Sequence, residues 1–136
     1  MSGHLVFVYG SLKAAFHNHR LLVDHDAVDL GYAVTDERYL MLKGNAFPFL
    51  LKQPAHAQIA GELYRVDDAC LAALDRLESH PRFYRREPIM VNGGVEAWCY
   101  FIRPERMASV PLPNRAGIVE WTRDDVTADE PTDAEE

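Results

Sequence analysis

Residues 59–78 read IAGELYRVDDACLAALDRLE, and this stretch decides the fold because two periodicities follow one another in it. Apolar and polar side chains alternate along residues 59–66, which is typical of a strand with one buried face. From there the apolar residues recur at helical spacing, with Asp67 or Asp68 as the N-cap. Pro81 is expected to stop the helix. The stretch therefore predicts a strand that leads directly into a helix.

Glu78 occupies an unusual place in this predicted helix. With Leu71 set at zero and about 100° per residue, Leu74 falls at roughly 300° and Glu78 at roughly 340°. The carboxylate is therefore predicted on the buried face, between two leucines. An ionised carboxylate costs several kcal/mol to bury unless a cation or hydrogen bonds compensate. Such a group either has a hidden cationic partner or is kept for chemistry.

Both interpretations of Glu78 are compatible with the spacing. In the first, Glu78 forms a structural ion pair with Arg82, Arg85 or Arg86, which are close in sequence. In the second, Glu78 is a general base, because burial and the negative end of the helix both raise the pKa of a carboxyl group. A carboxylate with a raised pKa is a competent base near neutral pH.

The rest of the chain predicts several strands and few helices, which indicates an α+β domain with a curled sheet or barrel. Residues 4–9 form a continuous apolar run that predicts a buried strand. Asn92-Gly93-Gly94 predicts the turn of a hairpin. The remaining expectations are hairpin strands at 87–91 and 95–102, one or two strands in 28–43, a loop at 44–49 around Pro48, a loop or short helix in 12–22, and a short last segment at 117–121.

The turn Gly10-Ser11-Leu12 follows the first predicted strand. Glycine allows backbone angles that aim successive N–H groups at one point, and such a nest binds carboxylate or phosphate. The P-loop pattern is absent because no second glycine with Lys-Ser or Lys-Thr follows. Taken alone, the motif is better explained as an ordinary turn at a strand end.

The charge of the chain is concentrated at one end. Residues 124–136 hold seven acids and no base, so 14 of the 21 acids remain against 14 Lys+Arg in the rest of the chain. We therefore predict a single domain at residues 1–123 and an acidic, disordered tail at 124–136. The near-neutral domain lacks the basic stripe of a nucleic-acid surface, so no nucleic-acid partner is expected.

Other features indicate a cytoplasmic protein without a membrane or metal partner. Cys70 and Cys99 lie in apolar contexts and have no metal spacing. The N-terminus lacks a signal-peptide pattern, and no apolar run is long enough to span a membrane. His17, His19 and His25 could gather around a metal, but no acidic or cysteine ligand accompanies them at ligand spacing.

Several segments carry a family resemblance when they are taken together and in order. They are Val6-Phe7-Val8-Tyr9-Gly10-Ser11-Leu12-Lys13, residues 18–22, residues 61–66, Leu74-Asp75-Arg76-Leu77-Glu78 and residues 83–86. This series resembles the gamma-glutamylcyclotransferase-like superfamily, and within it the gamma-glutamylamine cyclotransferase branch. The resemblance implies a small mixed β-barrel with flanking short helices.

The resemblance also implies a reaction. The α-amino group of a small γ-glutamyl substrate attacks its own γ-carbonyl, which gives 5-oxoproline and a released amine, without a cofactor or metal. By the same resemblance, Tyr9, Gly10, Ser11 and Leu12 bind the glutamyl moiety and Glu78 accepts the proton. The alternative is a non-catalytic protein that binds a small carboxylate in the same pocket.

Overall fold

The computed structural model describes residues 3–10, 12–14, 16, 18–42, 48–102 and 117–122. The chain forms a six-stranded sheet, a separate two-stranded hairpin and two short helices within these ranges. In chain order the elements are β1 (His4–Val8), α1 (His19–Asp24), β2 (Val28–Val34), β3 (Leu40–Leu42), β4 (Phe49–Leu51), β5 (Gln58–Val66), α2 (Asp68–Leu77), β6 (Tyr84–Val91), β7 (Val95–Ile102) and β8 (Ile118–Glu120).

The large sheet is mixed and has the order β2-β5-β1-β7-β6, with β8 beside β5. β1 is antiparallel to β5 and parallel to β7, and β8 is parallel to β5. The sequence-predicted α+β class is confirmed. Among the helices that the structure describes, none has the length and apolar character to cross a bilayer.

The sheet curls until its two edge strands touch, but it does not close into a complete barrel. Within the described residues, one isolated bridge between Thr35 and Val91 joins the end of β2 to the end of β6. Thr35 is fully buried, and its backbone and hydroxyl both bond to Ile59 of β5. The predicted barrel is therefore open, and this bridge joins its two edge strands at one end.

Two groups of apolar side chains form on opposite faces of the sheet because successive residues of a strand point in opposite directions. Phe7 belongs to the group inside the curl, which also contains Trp121. Val6 and Val8 face outward, where α2 covers them with the apolar side that includes Leu74. This packing places the end of α2 beside the end of β1.

Most element boundaries lie within one or two residues of the predictions, but β6 begins at Tyr84, earlier than the expected residue 87, and β4 begins inside the expected loop. Helix α2 begins after Asp67, whose carboxylate accepts a hydrogen bond from the Cys70 amide at 2.8 Å, and it ends at Leu77, before Pro81. Phe49 was expected in a loop, but it begins β4, because Pro48 removes only its own amide from pairing. Residues 44–47 and the acidic tail lie outside the described residues, so those two predictions stay untested.

Candidate active site

Glu78 lies at the end of α2, where its backbone N–H bonds to the carbonyl oxygen of Leu74 at 2.9 Å. Glu78 is 5% exposed, so the helical periodicity correctly predicted that this residue is buried. The next residue, Ser79, has a φ of 55°, which turns the chain away from the helix axis. The helix end therefore holds the carboxylate inside the domain and lets the chain leave toward β6.

The turn after β1 faces the same space. The amide of Lys13 bonds to the carbonyl oxygen of Gly10 at 3.0 Å and closes the turn. A Cβ atom at Gly10 would lie 2.8 Å from Cδ of Pro48, so only glycine allows this close approach. Gly10 is not among the residues with positive φ, so its backbone angles do not require glycine. Glycine is needed here because a larger residue would lack space.

Glu78 and the turn line one narrow cleft, with a cavity volume of about 20 Å³. Its lining residues are Phe7, Val8, Tyr9, Gly10, Leu12, Pro48, Glu78 and Tyr100. Three of the four turn residues predicted to bind a ligand thus meet the predicted proton acceptor in one cavity. Ser11, the fourth, lies outside the described residues.

Tyr100 also lines the cleft, and the sequence analysis did not single it out. Its hydroxyl donates to Oδ1 of Asp75 at 2.6 Å, and its backbone oxygen accepts the hydroxyl of Tyr9 at 2.6 Å. Burial, followed by the hydrogen bond to Asp75, raises the pKa of Tyr100 well above its ordinary value. Tyr100 therefore stays neutral and links α2 to the end of β1.

Arg86 was one of three suggested ion-pair partners for Glu78, but in the structure Arg86 forms an ion pair with Asp75. The Arg86 guanidinium makes a two-pronged contact with the Asp75 carboxylate, with Nε at 2.8 Å and Nη2 at 2.9 Å. It also lies 4.3 Å from the ring centroid of Trp98, as a stacked cation. Burial would raise the pKa of Asp75, but the hydrogen bonds from Arg86 and Tyr100 hold that pKa below its usual range.

Two contacts from outside the cleft, one buried and one exposed, anchor the turn, and neither was predicted. Nζ of Lys13, a residue only 5% exposed, donates to the carbonyl oxygen of Trp121 at 2.5 Å and lies 3.4 Å from the Glu120 carboxylate. On the other side, the Ala14 amide donates to the Glu62 carboxylate at 2.9 Å. The turn is therefore tied both to β8 and to β5.

His19 and His25, two of the three histidines considered as metal ligands, make separate local contacts. Nδ1 of His19 lies 3.0 Å from the carbonyl oxygen of Leu12, and Nδ1 of His25 lies 2.9 Å from that of Leu21. In the part of the chain that the structure describes, no group of three His, Cys, Asp or Glu side chains has the geometry of a metal site. His17 lies outside that part.

The fold and the cleft define a small α+β domain in which a helix-end carboxylate faces a strand-end turn. The sequence profile of one protein family, gamma-glutamyl cyclotransferase, AIG2-like, matches residues 6–122. The chain belongs to this family.

Individual relatives agree with this assignment. A protein of Methanocaldococcus jannaschii, named provisionally as a gamma-glutamylcyclotransferase, is 39% identical over 100 residues, which cover 71% of this chain and 82% of the relative. The gamma-glutamylaminecyclotransferase of Bos taurus is 40% identical over 112 residues, which cover 73% of this chain and 67% of that protein. The crystal structure of an AIG2-like protein from Mus musculus superposes with a TM-score of 0.70 at 30% identity, covering 77% of this chain and 82% of the other.

Proposed function

We propose that this protein is a γ-glutamyl cyclotransferase that converts a γ-glutamyl amine or amide to 5-oxoproline and a free amine. The observation that carries the proposal is the cleft in which buried Glu78 faces Tyr9, Gly10 and Leu12. Family membership supports the reaction class. The cytoplasmic location expected from the sequence belongs to the same proposal.

The substrate presents two charged groups that need opposite partners. Its α-carboxylate needs hydrogen-bond donors at fixed positions, and backbone amides of a tight turn such as residues 10–12 can supply them. Its α-ammonium needs a negative group, which Glu78 supplies from the opposite wall. A cleft lined mainly by apolar groups strengthens both attractions, because little water competes for the charges.

The chemistry follows from that placement. Glu78 takes a proton from the α-ammonium, and the freed amine attacks the γ-carbonyl carbon, so that a new C–N bond closes a five-membered ring. The tetrahedral intermediate then loses the second proton of its ring nitrogen and collapses, and the C–N bond to the leaving amine breaks. The leaving amine receives both protons, one of them from Glu78, and departs as an ammonium. No atom other than these protons is exchanged with the protein.

Holding the substrate in one conformation supplies a large part of the acceleration. The amine and the carbonyl carbon already belong to one molecule, so the cleft only has to select the folded conformer in which they meet. Well-oriented intramolecular reactions gain as much as about 7–11 kcal/mol from such positioning. The short turn, tied to β8 through Lys13 and to β5 through Glu62, provides the rigid support that this selection requires.

The proposed substrate class is a γ-glutamyl amine. Its support is the relative from Bos taurus, whose name specifies a γ-glutamylamine. The walls of the described cleft include Phe7, Val8, Leu12 and Pro48, and such apolar surface suits the alkyl part of a leaving amine better than a charged peptide.

Product analysis tests the proposal. The purified protein is incubated with γ-glutamyl-ε-lysine, γ-glutamyl alkylamines and γ-glutamyl dipeptides, and 5-oxoproline, free amine and glutamate are quantified. We expect 5-oxoproline and amine in equal amounts, no glutamate, and the highest rate with an amine substrate. Turnover should be lost in Glu78→Gln and retained in Glu96→Gln, a control for an exposed glutamate on β7.

Three results would overturn the proposal. Glutamate as the product would indicate hydrolysis. Equal rates for the wild type and Glu78→Gln would remove the catalytic assignment. Tight binding of 5-oxoproline by calorimetry without turnover of any substrate would indicate the non-catalytic carboxylate-binding protein.

A further inference from the structure

An ion pair lies one helical turn before Glu78. Asp75 and Glu78 are three residues apart on α2 and its C-cap, a spacing that places side chains on the same face of a helix. Arg86 reaches Asp75 from β6 through two hydrogen bonds of 2.8 and 2.9 Å. The two side chains are 18% and 22% exposed, so the pair is mostly shielded from solvent. A full positive and a full negative charge therefore lie beside the proposed catalytic carboxylate.

Tyr100 shows that these three charges share one environment. Its hydroxyl bonds to Asp75, and the residue lines the cleft with Glu78. Burial, the Asp75 hydrogen bond, and then the charges of Asp75 and Glu78 raise the pKa of Tyr100, whereas the charge of Arg86 lowers it. The Asp75–Arg86 pair and Glu78 therefore act on the same buried hydroxyl, so we expect a change in the charge of the pair to reach Glu78 as well.

The described titratable and charged groups around Glu78 come from four elements. They are Asp75 on α2, His80 in the turn that follows, Arg86 on β6, Cys99 and Tyr100 on β7, and Tyr9 after β1. Burial raises the pKa of the Cys99 thiol and of the Tyr100 phenol, so both stay neutral. Glu87 of β6 also acts on Cys99 and is paired with Lys52 at 2.6 Å, whereas the charges that act on Tyr100 together with Glu78 are those of Asp75 and Arg86.

We infer that the Asp75–Arg86 ion pair is a positioning unit that sets the proton affinity of Glu78 by keeping its two charges balanced beside that carboxylate. The inference rests on the proposed role of Glu78 as proton acceptor. Neither residue of the pair lines the cleft, so both act through Glu78 and Tyr100 and not on the substrate.

The two halves of the pair have opposite effects, which gives the inference a signature. Glu78 must be ionised to accept a proton, so the rate rises with pH through the pKa of Glu78. Removal of the Arg86 charge leaves the Asp75 carboxylate uncompensated, which raises the pKa of Glu78 and moves the acid limb of the rate profile to higher pH. Removal of the Asp75 charge leaves Arg86 uncompensated and moves the limb to lower pH.

The experiment is the pH profile of kcat/KM for 5-oxoproline release by the wild type, Asp75→Asn, Arg86→Gln, Arg86→Lys and the double variant Asp75→Asn/Arg86→Gln. We expect shifts of the acid limb by about one pH unit, upward for Arg86→Gln and downward for Asp75→Asn. The double variant should return close to the wild-type limb. Arg86→Lys keeps the charge and changes the geometry, so its limb should not move. His80 is present in every variant, so only the differences between profiles are compared.

Shifts in the same direction for both single variants, or unshifted limbs, would overturn the inference. A fall in rate at all pH values without a shift would indicate a purely structural pair. If Asp75→Asn does not fold, the comparison of Arg86→Gln with Arg86→Lys decides, since only the former changes the charge. Failure of the proposed function is a separate outcome, because it appears as no 5-oxoproline from the wild type.

Discussion

Replacement of Lys13 by methionine tests how the turn of the candidate site is held. Lys13 is 5% exposed, and its Nζ donates to the Trp121 carbonyl oxygen at 2.5 Å and lies 3.4 Å from the Glu120 carboxylate. Methionine fills a similar volume but leaves the carbonyl oxygen without this donor. The Glu120 side chain is 44% exposed and can be hydrated instead, so the loss is mainly one charge-assisted hydrogen bond. Such a bond contributes about 1.5–3 kcal/mol, and we expect the free energy of unfolding to fall by about 2 kcal/mol.

Urea denaturation followed by tryptophan fluorescence measures this change. The matched control is Lys52→Met, which breaks the Lys52–Glu87 pair of 2.6 Å on the surface, where the lysine side chain is 52% exposed. Exposed pairs contribute less than about 1 kcal/mol, so the control should be nearly unaffected. Because the turn is tied to β8 through Lys13, the Lys13→Met variant should also raise KM more than it lowers kcat. Equal stability changes in the two variants would refute the reasoning.

Substitutions at three further positions probe the support of the cleft and the helix that presents Glu78. A Cβ atom at Gly61 would overlap the carbonyl oxygen of Val8, so Gly61→Ala should destabilise the protein by about 1–3 kcal/mol in thermal or chemical denaturation; an unchanged midpoint would contradict this. Gly10→Ala places a methyl group 2.8 Å from the Pro48 ring, so it should raise KM several-fold and also lower the free energy of unfolding by about 1 kcal/mol, and an unchanged KM would show that this wall does not contact the substrate. The Asp67 side chain caps α2 at 2.8 Å, so Asp67→Ala should lower the free energy of unfolding in urea by about 1 kcal/mol. Asp67→Asn keeps a capping oxygen and should retain most of the wild-type stability.

The sequence predicted those parts of the fold that local periodicity determines. Helical spacing was sufficient to place Glu78 on a buried face because α2 is regular and has a clear N-cap. The Asn92-Gly93-Gly94 turn was equally direct: Asn92 and Gly93 have φ values of 51° and 79°, which these residue types allow. The position of β8 could not be predicted, because it depends on parallel pairing with β5 and no local pattern encodes that pairing.

The surroundings of Glu78 could not be predicted because they depend on long-range packing. Three arginines follow the helix within a few residues, and the sequence does not show which one meets which acid. In the folded chain, Arg86 also stacks on Trp98 of β7, and Tyr100 of the same strand bonds to Asp75. These contacts join residues 11 to 25 positions apart and select Asp75 as the partner of Arg86.

The buried lysine shows the same limit. Lys13 follows the turn motif and has the composition of a surface residue, but its amine meets a carbonyl oxygen 108 residues away. Lysine is almost never fully buried unless it is paired. No local pattern in the sequence shows that Lys13 is buried or identifies its distant partner. The candidate turn was therefore recognisable, whereas its attachment to β8 was not.

The central claim is that Glu78 transfers the proton and does not merely hold the substrate. The most direct measurement is kcat for 5-oxoproline release by Glu78→Gln at saturating γ-glutamyl amine, with binding of the same substrate to the variant measured by calorimetry. Glutamine keeps the size of the side chain but cannot accept the proton, so kcat should fall by about 10²–10⁴-fold while the variant still binds substrate. A variant that binds substrate and retains the wild-type kcat would contradict the account.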